Sequence, residues 1–419
     1  MASLVLEPPA SYSPDSLPAV DYNIWPPEEL RPPCHHHHEH SSSSPSPSSG
    51  LSLPLPDVVP IIDLHEEDMH LMVQKIASAC ENWGVFYVVN HGVHESLVAR
   101  ARELGLQLFS LPADFKQKAM PIRNQAGFFE GFGKPLVGKF FKSLMWSEGL
   151  TMAGYPTTGI ADITDKLCPD EKNGYREALE EYDAALRGLA ARLMEAVLAG
   201  MGVEDTAQLD RRMLLHVGND DNNHNDDDDD DITSKTINSS SSSSRLLWRG
   251  VVHLNHYPPC PAQPPAEMRM VGIDNNMMSS MSSTTMGLPA HTDSTCLTIL
   301  HQGSVPGLQI FRHGLWHPLP PLPYHKDSFV IHVGDMLQVL SNGKYKSILH
   351  RAVANKTMSR LSLAYLYLPP IEATIAPISE VVSSSEGKKP MYKPLKWLEY
   401  YNFRNKNFVG ALEHFKTSS

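Results

Sequence analysis

The sequence predicts an α+β fold, in which a helix-rich first half precedes a β-rich second half. The clearest helix is predicted over 175–199, where six apolar residues recur at spacings of three and four. The second half contains seven short apolar segments between residues 251 and 367, separated by turn signals such as Ser-Asn-Gly at 341–343. Short strands at this spacing are typical of antiparallel sandwiches and barrels.

Five segments of the first half have the composition or periodicity of regular structure. In chain order they are an apolar strand at 58–64, a helix at 66–84, a strand at 84–92, a helix at about 95–109 and the helix at 175–199. Gly84 and Pro112 end the first two helices, and Gly200 and Gly202 follow the third.

Two low-complexity regions divide the chain. Residues 1–55 are rich in Pro, Ser and His, and 216–245 are rich in Asp and Ser, so neither holds enough apolar surface to order itself. The histidine cluster at 35–40 lacks the preset geometry that a selective metal site needs. The predicted domains are a disordered N-terminal region (1–55), a helix-rich region (56–215), a disordered insertion (216–245), the β-rich core (246–370) and a C-terminal helical segment (371–419).

Composition argues against several classes of function. The net charge is −12, eight aspartates lie within 220–231, and no basic stripe suited to nucleic acid is present. No run of about 18 apolar residues exists, so we expect no membrane partner, and the N-terminus lacks the features of a secretory signal. Five scattered cysteines indicate a reduced intracellular protein, so we expect a cytoplasmic location, with the nucleus as an open alternative. We also expect the protein to be a monomer.

A histidine and an aspartate stand two residues apart at the start of the apolar stretch TCLTIL. On a strand, His291 and Asp293 would point to the same face and could bind one metal ion. The chain has 21 histidines, so this pair alone is a weak signal. His350 lies in a later apolar strand and is a candidate third ligand. Two histidines and one carboxylate form a facial triad that leaves positions open on the metal.

Arg360 and Ser362 are also two residues apart, at the start of an apolar strand. An arginine that faces the interior needs an anion, because an unpaired buried charge is costly, and its planar fork suits a carboxylate. The alternative is an internal ion pair, for which Asp335 is the candidate. Together with an open metal site, the arginine indicates a dicarboxylate co-substrate that chelates the metal.

These residues resemble the pattern of the iron(II)- and 2-oxoglutarate-dependent dioxygenases of plants. The segment Asn255-x-Tyr257-Pro-x-Cys260 and the strand WGVFYVVNHGV at 83–93 resemble further motifs of that family. The resemblance implies a double-stranded β-helix (jelly-roll) core with helices packed around it. It also implies three co-reactants, namely iron(II), 2-oxoglutarate and O2, with ascorbate in support.

The same resemblance implies a role for each site residue. His291, Asp293 and His350 would hold the iron(II), while Arg360 and Ser362 would bind the far carboxylate of 2-oxoglutarate with help from Tyr257 and Asn255. Arg360 is accordingly the residue that we assign to catalysis.

The segment FFKSLMWSEGLTM at 140–152 closely resembles one that is typical of gibberellin 3-beta-dioxygenases. This resemblance implies a diterpenoid acid as substrate, hydroxylated with release of succinate and CO2. Such a pocket should be apolar with one cation for the substrate carboxylate. The candidate cations are Lys134, Lys139 and Lys142, and the candidate apolar wall consists of Phe140, Phe141, Met145 and Trp146.

Three alternatives stay open from the sequence. The segment Asn-His-Tyr-Pro-Pro at 255–259 also resembles gibberellin 2-oxidases and other plant specialised-metabolite hydroxylases. The same metal ligands could serve a non-oxidative metal-dependent jelly-roll isomerase, against which Arg360 and Ser362 argue. A catalytically silent relative is the third alternative, and the complete set of metal ligands argues against it.

Overall fold

The computed structural model describes two large β-sheets and a small two-stranded sheet, and the largest sheet carries the long helices of the first half. The described residues are 58–112, 116, 130–133, 140–141, 145–167, 174–203, 248–260, 285–371, 373–384, 389–408 and 410–417. The regions predicted to be disordered at 1–55 and 216–245 lie outside these ranges.

The first half alternates short strands with helices. Its elements are β1 (Ile61–Asp63), α1 (Met69–Asn82), β2 (Val85–Val89), α2 (Glu95–Ser110), β3 (Gly131–Gly133), β4 (Glu148–Ala153), α3 (Gly159–Leu167) and α4 (Tyr175–Gly200). Helix α1 begins where the side chain of Asp68 accepts hydrogen bonds from the backbone N–H groups of His70 and Leu71. Such an N-cap satisfies donors that the first helical turn leaves without partners.

Helix α4 confirms the helix predicted over 175–199. All six residues of its predicted apolar face are buried, namely Leu179, Tyr182, Leu186, Leu189, Leu193 and Val197. The helix packs against α1, α2 and α3 and against strands β5, β7 and β12 of the large sheet. Burial of a large apolar side chain stabilises the fold by roughly 1.5–3 kcal/mol, so this face anchors the helices to the sheet.

The second half supplies most of the strands. Its elements are β5 (Arg249–Tyr257), β6 (Met286–His291), β7 (Leu297–His301), β8 (Leu308–Arg312), β9 (Leu315–Pro318), β10 (Phe329–Val333), α5 (Asp335–Leu340), β11 (His350–Val353), β12 (Arg360–Leu368), β13 (Thr374–Ile375), α6 (Ser379–Ser384), β14 (Leu395–Lys396), α7 (Trp397–Arg404) and a 3₁₀ helix (Ala411–Phe415). Apart from the parallel pair β1–β2, the described strands pair antiparallel.

The two large sheets form the predicted jelly-roll core. The first has eight strands in the order β1-β2-β10-β7-β12-β5-β4-β3, and the second has four in the order β6-β11-β8-β9. Both sheets contribute residues to one cavity. Among the described residues, no helix is both long and apolar enough to cross a membrane.

One predicted strand is wrong. The segment MLQVLSNG at 336–343 forms all but the first residue of helix α5 and the turn after it, with Met336, Leu337, Val339 and Leu340 all buried. A short apolar run has the same composition in a buried helical turn and in a buried strand, so periodicity cannot separate the two. The segment's position after Gly334, whose backbone is extended, permits the chain to turn into a helix there.

Candidate active site

A cavity of about 240 Å³ lies between the two sheets. Alternate residues of β5 and β12 line it, because every second side chain of a strand points to the same face. On β5 these residues are Arg249, Val251, His253, Asn255 and Tyr257, and on β12 they are Arg360, Ser362, Ala364, Leu366 and Leu368. The histidine and aspartate side chains of the predicted triad line the same cavity.

The structure brings His291, Asp293 and His350 together. Oδ1 of Asp293 lies 3.6 Å from Nε2 of His291 and 3.7 Å from Nε2 of His350. One ligand atom from each residue lies within 4.8 Å of the others, which suits coordination of a single metal ion. His291 and His350 are paired across the β6–β11 ladder, so the sheet itself sets their separation.

The convergence of His291 and Asp293 has a different cause from the one predicted. His291 is the last residue of β6, and β7 does not begin until Leu297, so Asp293 lies in the connection between them. The two side chains therefore share no strand face. The backbone after His291 turns Asp293 towards the metal position, and the sequence alone did not reveal this turn.

Both histidines of the triad offer Nε2 to a metal. Nδ1 of His291 lies 2.8 Å from the carbonyl oxygen of Pro289, and Nδ1 of His350 lies 3.1 Å from that of Ile348. A carbonyl only accepts hydrogen bonds, so Nδ1 carries the proton in each ring and Nε2 keeps its lone pair. Burial lowers the pKa of both imidazoles, which favours the neutral form that binds metal.

Asp293 is an ionised carboxylate in this setting. Burial by itself raises the pKa of Asp293, but His350, His332 and His291 together hold that pKa well below its usual range. Nδ1 of His332 lies 3.4 Å from Oδ2 of Asp293, on the oxygen that does not face the two triad histidines. Sequence reasoning missed His332, although a histidine within the apolar strand SFVIHVG was a signal.

Four residues predicted to bind a dicarboxylate also lie together. Arg360 pairs with Tyr257 and Ser362 with Asn255 across the β12–β5 ladder, and all four side chains line the cavity. Arg360 is 2% exposed, and its guanidinium donates to the carbonyl oxygen of Val305 and to Oγ of Ser362.

The alternative ion pair between Arg360 and Asp335 is wrong. Asp335 accepts a hydrogen bond of 2.6 Å from the hydroxyl of Tyr400 and lies 3.9 Å from the guanidinium of Arg404. Within the described ranges, no carboxylate lies at ion-pair distance from Arg360. A buried guanidinium without a carboxylate favours an anion from outside the chain, so the site fits a dicarboxylate that spans from the metal to Arg360.

The predicted substrate segment is only partly described. Lys134, Lys139 and Lys142 lie outside the described residues. The ring of Phe141 meets that of Phe408, a cavity residue, at 5.8 Å, and Phe140 stacks on the same ring at 5.1 Å.

Met145 and Trp146 pack beside the cavity rather than along it. Met145 contacts Met286, and the indole N–H of Trp146 donates to the carbonyl oxygen of Pro258 at 3.0 Å. Sequence reasoning missed the wall that does line this side, which comes from the C-terminal segment. Its residues are Trp397, Tyr401, Arg404, Asn405 and Phe408, and the aromatic cluster WLEYYNFR was the available signal.

Two known protein families match the chain, one in each half. The 2OG-Fe(II) oxygenase superfamily matches residues 248–369. The family described as the N-terminal region of non-haem dioxygenase in morphine synthesis matches residues 59–171. The first match contains every residue of the triad and of the predicted dicarboxylate site.

Curated relatives resemble the chain along most of its length. Gibberellin 3-beta-dioxygenase 1 of Arabidopsis thaliana is 35% identical over 356 residues, which cover 84% of this chain and 82% of the relative. Gibberellin 3-beta-dioxygenase 1 of Pisum sativum is 34% identical over 355 residues, which cover 84% of this chain and 78% of the relative.

Solved structures share the fold. JOX2 in complex with 2OG, Fe and JA superposes with a TM-score of 0.64 at 26% identity, covering 96% of this chain and 94% of JOX2. The rice dioxygenase for auxin oxidation superposes with a TM-score of 0.58 at 22% identity, covering 86% of this chain and 100% of the other.

Proposed function

This chain belongs to the 2OG-Fe(II) oxygenase superfamily and is an iron(II)- and 2-oxoglutarate-dependent dioxygenase, and from that premise we propose that it hydroxylates a gibberellin at the 3-beta position. The observation that carries the proposed substrate is the similarity to gibberellin 3-beta-dioxygenases, which extends across both halves of the chain rather than only the metal motifs. The residues that shape a substrate pocket lie largely outside those motifs.

In this proposal, the residues of the metal and dicarboxylate sites each have a defined task. Nε2 of His291, Nε2 of His350 and a carboxylate oxygen of Asp293 would hold the iron(II). Arg360, with Ser362, Tyr257 and Asn255 beside it, binds the far carboxylate of 2-oxoglutarate. Arg360 thereby orients the keto acid towards the metal, and such fixed geometry lowers the barrier of the reaction.

The bound iron supplies the oxidising chemistry, in which O2 converts 2-oxoglutarate to succinate and CO2 and delivers its second oxygen atom to the substrate as a hydroxyl. The chain's own contribution is to hold the co-substrate, to exclude water and to select the C–H bond that is exposed to the metal. Position 3 and the beta face are therefore determined by how the substrate is held.

The substrate side of the cavity has the chemistry of a diterpenoid acid. Trp397, Tyr401 and Phe408 offer an aromatic wall for an apolar ring system, and Arg404 adds a cation on the same side. Phe141 supports that wall through its contact with Phe408. We retain Lys134, Lys139 and Lys142 as candidate partners of the substrate carboxylate.

The lysine candidates are tested one at a time. Replacement of the true partner by Met should raise the KM for the gibberellin and leave the KM for 2-oxoglutarate unchanged, because only the carboxylate of the gibberellin loses its cation. An unchanged gibberellin KM in all three variants would remove the lysines from the pocket.

The function is tested by turnover with identified products. Purified protein is incubated with iron(II), ascorbate, 2-oxoglutarate and a panel of gibberellins, with His291→Ala as the inactive control. A 3-beta-hydroxylated product, formed with one succinate for each hydroxyl, supports the proposal. A 2-hydroxylated gibberellin, or succinate formation that depends only on a substrate of another class, overturns the 3-beta assignment.

A further inference from the structure

We propose that helix α7 is a brace for the metal-binding loop, in which Trp397 and Arg404 position Asp293 by holding the backbone carbonyls on either side of it. The inference rests on the proposed metal-binding role of Asp293. It assigns no part in the chemistry to the helix, and it makes Trp397 and Arg404 positioning residues.

The loop needs support from outside because it pairs with no strand. Strand β6 ends at His291 and β7 begins at Leu297, so no ladder holds the backbone at Asp293. The loop residues Thr292, Asp293 and Ser294 are partly buried, and a carbonyl that is shielded from water without a donor costs about 1–3 kcal/mol. The position of the ligand therefore depends on where those donors are fixed.

Three successive carbonyls of the loop each have a donor. The indole N–H of Trp397 donates to the carbonyl oxygen of Ser294 at 2.8 Å, and the guanidinium of Arg404 donates to that of Thr292. The carbonyl oxygen of Asp293 itself accepts from the backbone N–H of Asp335 at 2.8 Å. The first two donors come from the opposite ends of one helix, so α7 holds the loop on both sides of Asp293.

The carboxylate of Asp335 provides a second connection between helix α7 and the loop. This carboxylate accepts from the hydroxyl of Tyr400 at 2.6 Å and from Oγ1 of Thr292 at 3.1 Å, and it lies 3.9 Å from Arg404. The carboxylate is 2% exposed, so these contacts form in a low-dielectric interior, where charge-assisted hydrogen bonds are strong. Helix α7 and the loop therefore behave as one unit.

The brace is placed at the substrate side of the cavity. Trp397 and Arg404 line the cavity as well as contacting the loop, and Tyr401 stacks on Trp397 with ring centres 5.0 Å apart. The same two side chains thus contact both the metal-binding loop and the space that a substrate fills.

Metal affinity tests the brace without reference to turnover. Metal-free protein is titrated with Co(II) alone, and the visible absorption of bound Co(II) gives the dissociation constant. Trp397→Phe keeps the aromatic ring but removes the N–H donor, and Arg404→Met keeps the stem but removes the guanidinium. Each variant should weaken Co(II) binding by about 10-fold or more, the range seen when residues that orient metal ligands are changed.

Tyr87→Phe is the matched control. It removes a hydroxyl that donates to the backbone carbonyl of Pro320, away from the 292–294 loop. This control should lower the unfolding midpoint and leave the Co(II) affinity unchanged. The brace is refuted if Trp397→Phe and Arg404→Met lose stability as the control does but bind Co(II) as the unchanged protein does.

Two further measurements keep the outcome unambiguous. Arg404→Lys, which retains one donor and the charge, should recover part of the lost affinity, and it replaces Arg404→Met if that variant fails to fold. Absence of recovery in a folded Arg404→Lys variant would count against the hydrogen bond to Thr292. If His291→Ala binds Co(II) as tightly as the unchanged protein, the metal assignment fails rather than the brace.

Discussion

Arg360 lies directly opposite Tyr257 in the β12–β5 ladder, with its guanidinium carbon 5.0 Å from the centre of the Tyr257 ring. The aromatic face attracts the cation and holds it in place, but it does not neutralise the charge. The guanidinium is therefore fixed in position and still able to bind a carboxylate.

Arg360→Met should raise the KM for 2-oxoglutarate by about 10- to 100-fold, because a buried charge-assisted hydrogen bond is worth about 1.5–3 kcal/mol. In protein free of 2-oxoglutarate, the same variant should unfold at a midpoint no lower than that of the unchanged protein. The reason is that it removes a buried cation for which the described residues provide no carboxylate.

Steady-state kinetics and thermal unfolding measure the two effects. The matched control is Arg312→Met, since the guanidinium of Arg312 stacks on Trp83 at 3.5 Å and does not line the cavity. An Arg360→Met enzyme with an unchanged KM for 2-oxoglutarate would contradict the proposed carboxylate site.

His350→Ala should abolish both Co(II) absorption and turnover, because it removes one of three ligands that meet at one point. A chelator should produce the same loss in the unchanged protein, and added iron(II) should reverse it. His317→Ala is the control, since His317 is exposed on β9 and its ring contacts the backbone carbonyl of Arg312. Turnover that survives the loss of His350 would place the metal elsewhere.

His332→Leu should weaken Co(II) binding by about tenfold, because Oδ2 of Asp293 loses the imidazole that orients the carboxylate. The control is His91→Leu, which also removes a buried histidine but lies away from the triad, against Phe329. Both variants should lose stability, whereas only His332→Leu should change metal affinity. Equal Co(II) affinities in the two variants would show that His332 does not act on Asp293.

Stability should fall as the pH drops from about 6.5 towards 4, in part because of His301. Burial lowers the pKa of His301 to about 4 from an ordinary value of 6.5. Between these values the unfolded chain takes up a proton that the folded chain does not, so acid favours unfolding. The loss is on the order of 3 kcal/mol, since a pKa difference of one corresponds to about 1.4 kcal/mol.

His301→Gln removes this titration and keeps a donor for the carbonyl oxygen of Lys326. Denaturant unfolding at several pH values should give the variant a shallower loss of stability than the unchanged protein over the same range. Parallel curves for the two proteins would mean that His301 does not titrate in this way.

The helices and strands differed in how well the sequence predicted them. Helix α4 was predictable because its apolar residues repeat over seven turns, and one face of a long helix must be buried. Helix α5 was predicted as part of a strand because it has only six residues, four of them apolar, and a segment this short shows no clear helical period. Helix α4 was therefore easier to predict than α5 because it is longer and its apolar residues repeat regularly.

The residues of the site also differed in how well the sequence predicted them. Arg360 and Ser362 share a face because strand alternation is a local rule, and the cross-strand partners Tyr257 and Asn255 follow from one register. His332, Trp397 and Arg404 are far from the triad in sequence, and no spacing rule connects them to it. His332 reaches Asp293, and Trp397 and Arg404 reach the residues on either side of it, only because separate elements pack around this loop.

By itself, the sequence determined the chemistry of this protein: the residue types of the metal and dicarboxylate sites, the family and its cofactors. The residue types follow from short motifs, which are constrained by local geometry and by the chemistry of their ligands. The family and its cofactors follow from the resemblance of those motifs to the motifs of known dioxygenases. The tertiary structure alone decided how the chain turns at Asp293, that Asp335 contacts Tyr400 and Arg404 rather than Arg360, and which C-terminal side chains line the cavity. Those features depend on contacts between distant segments, where packing and hydrogen bonding select one arrangement from many that the local sequence permits.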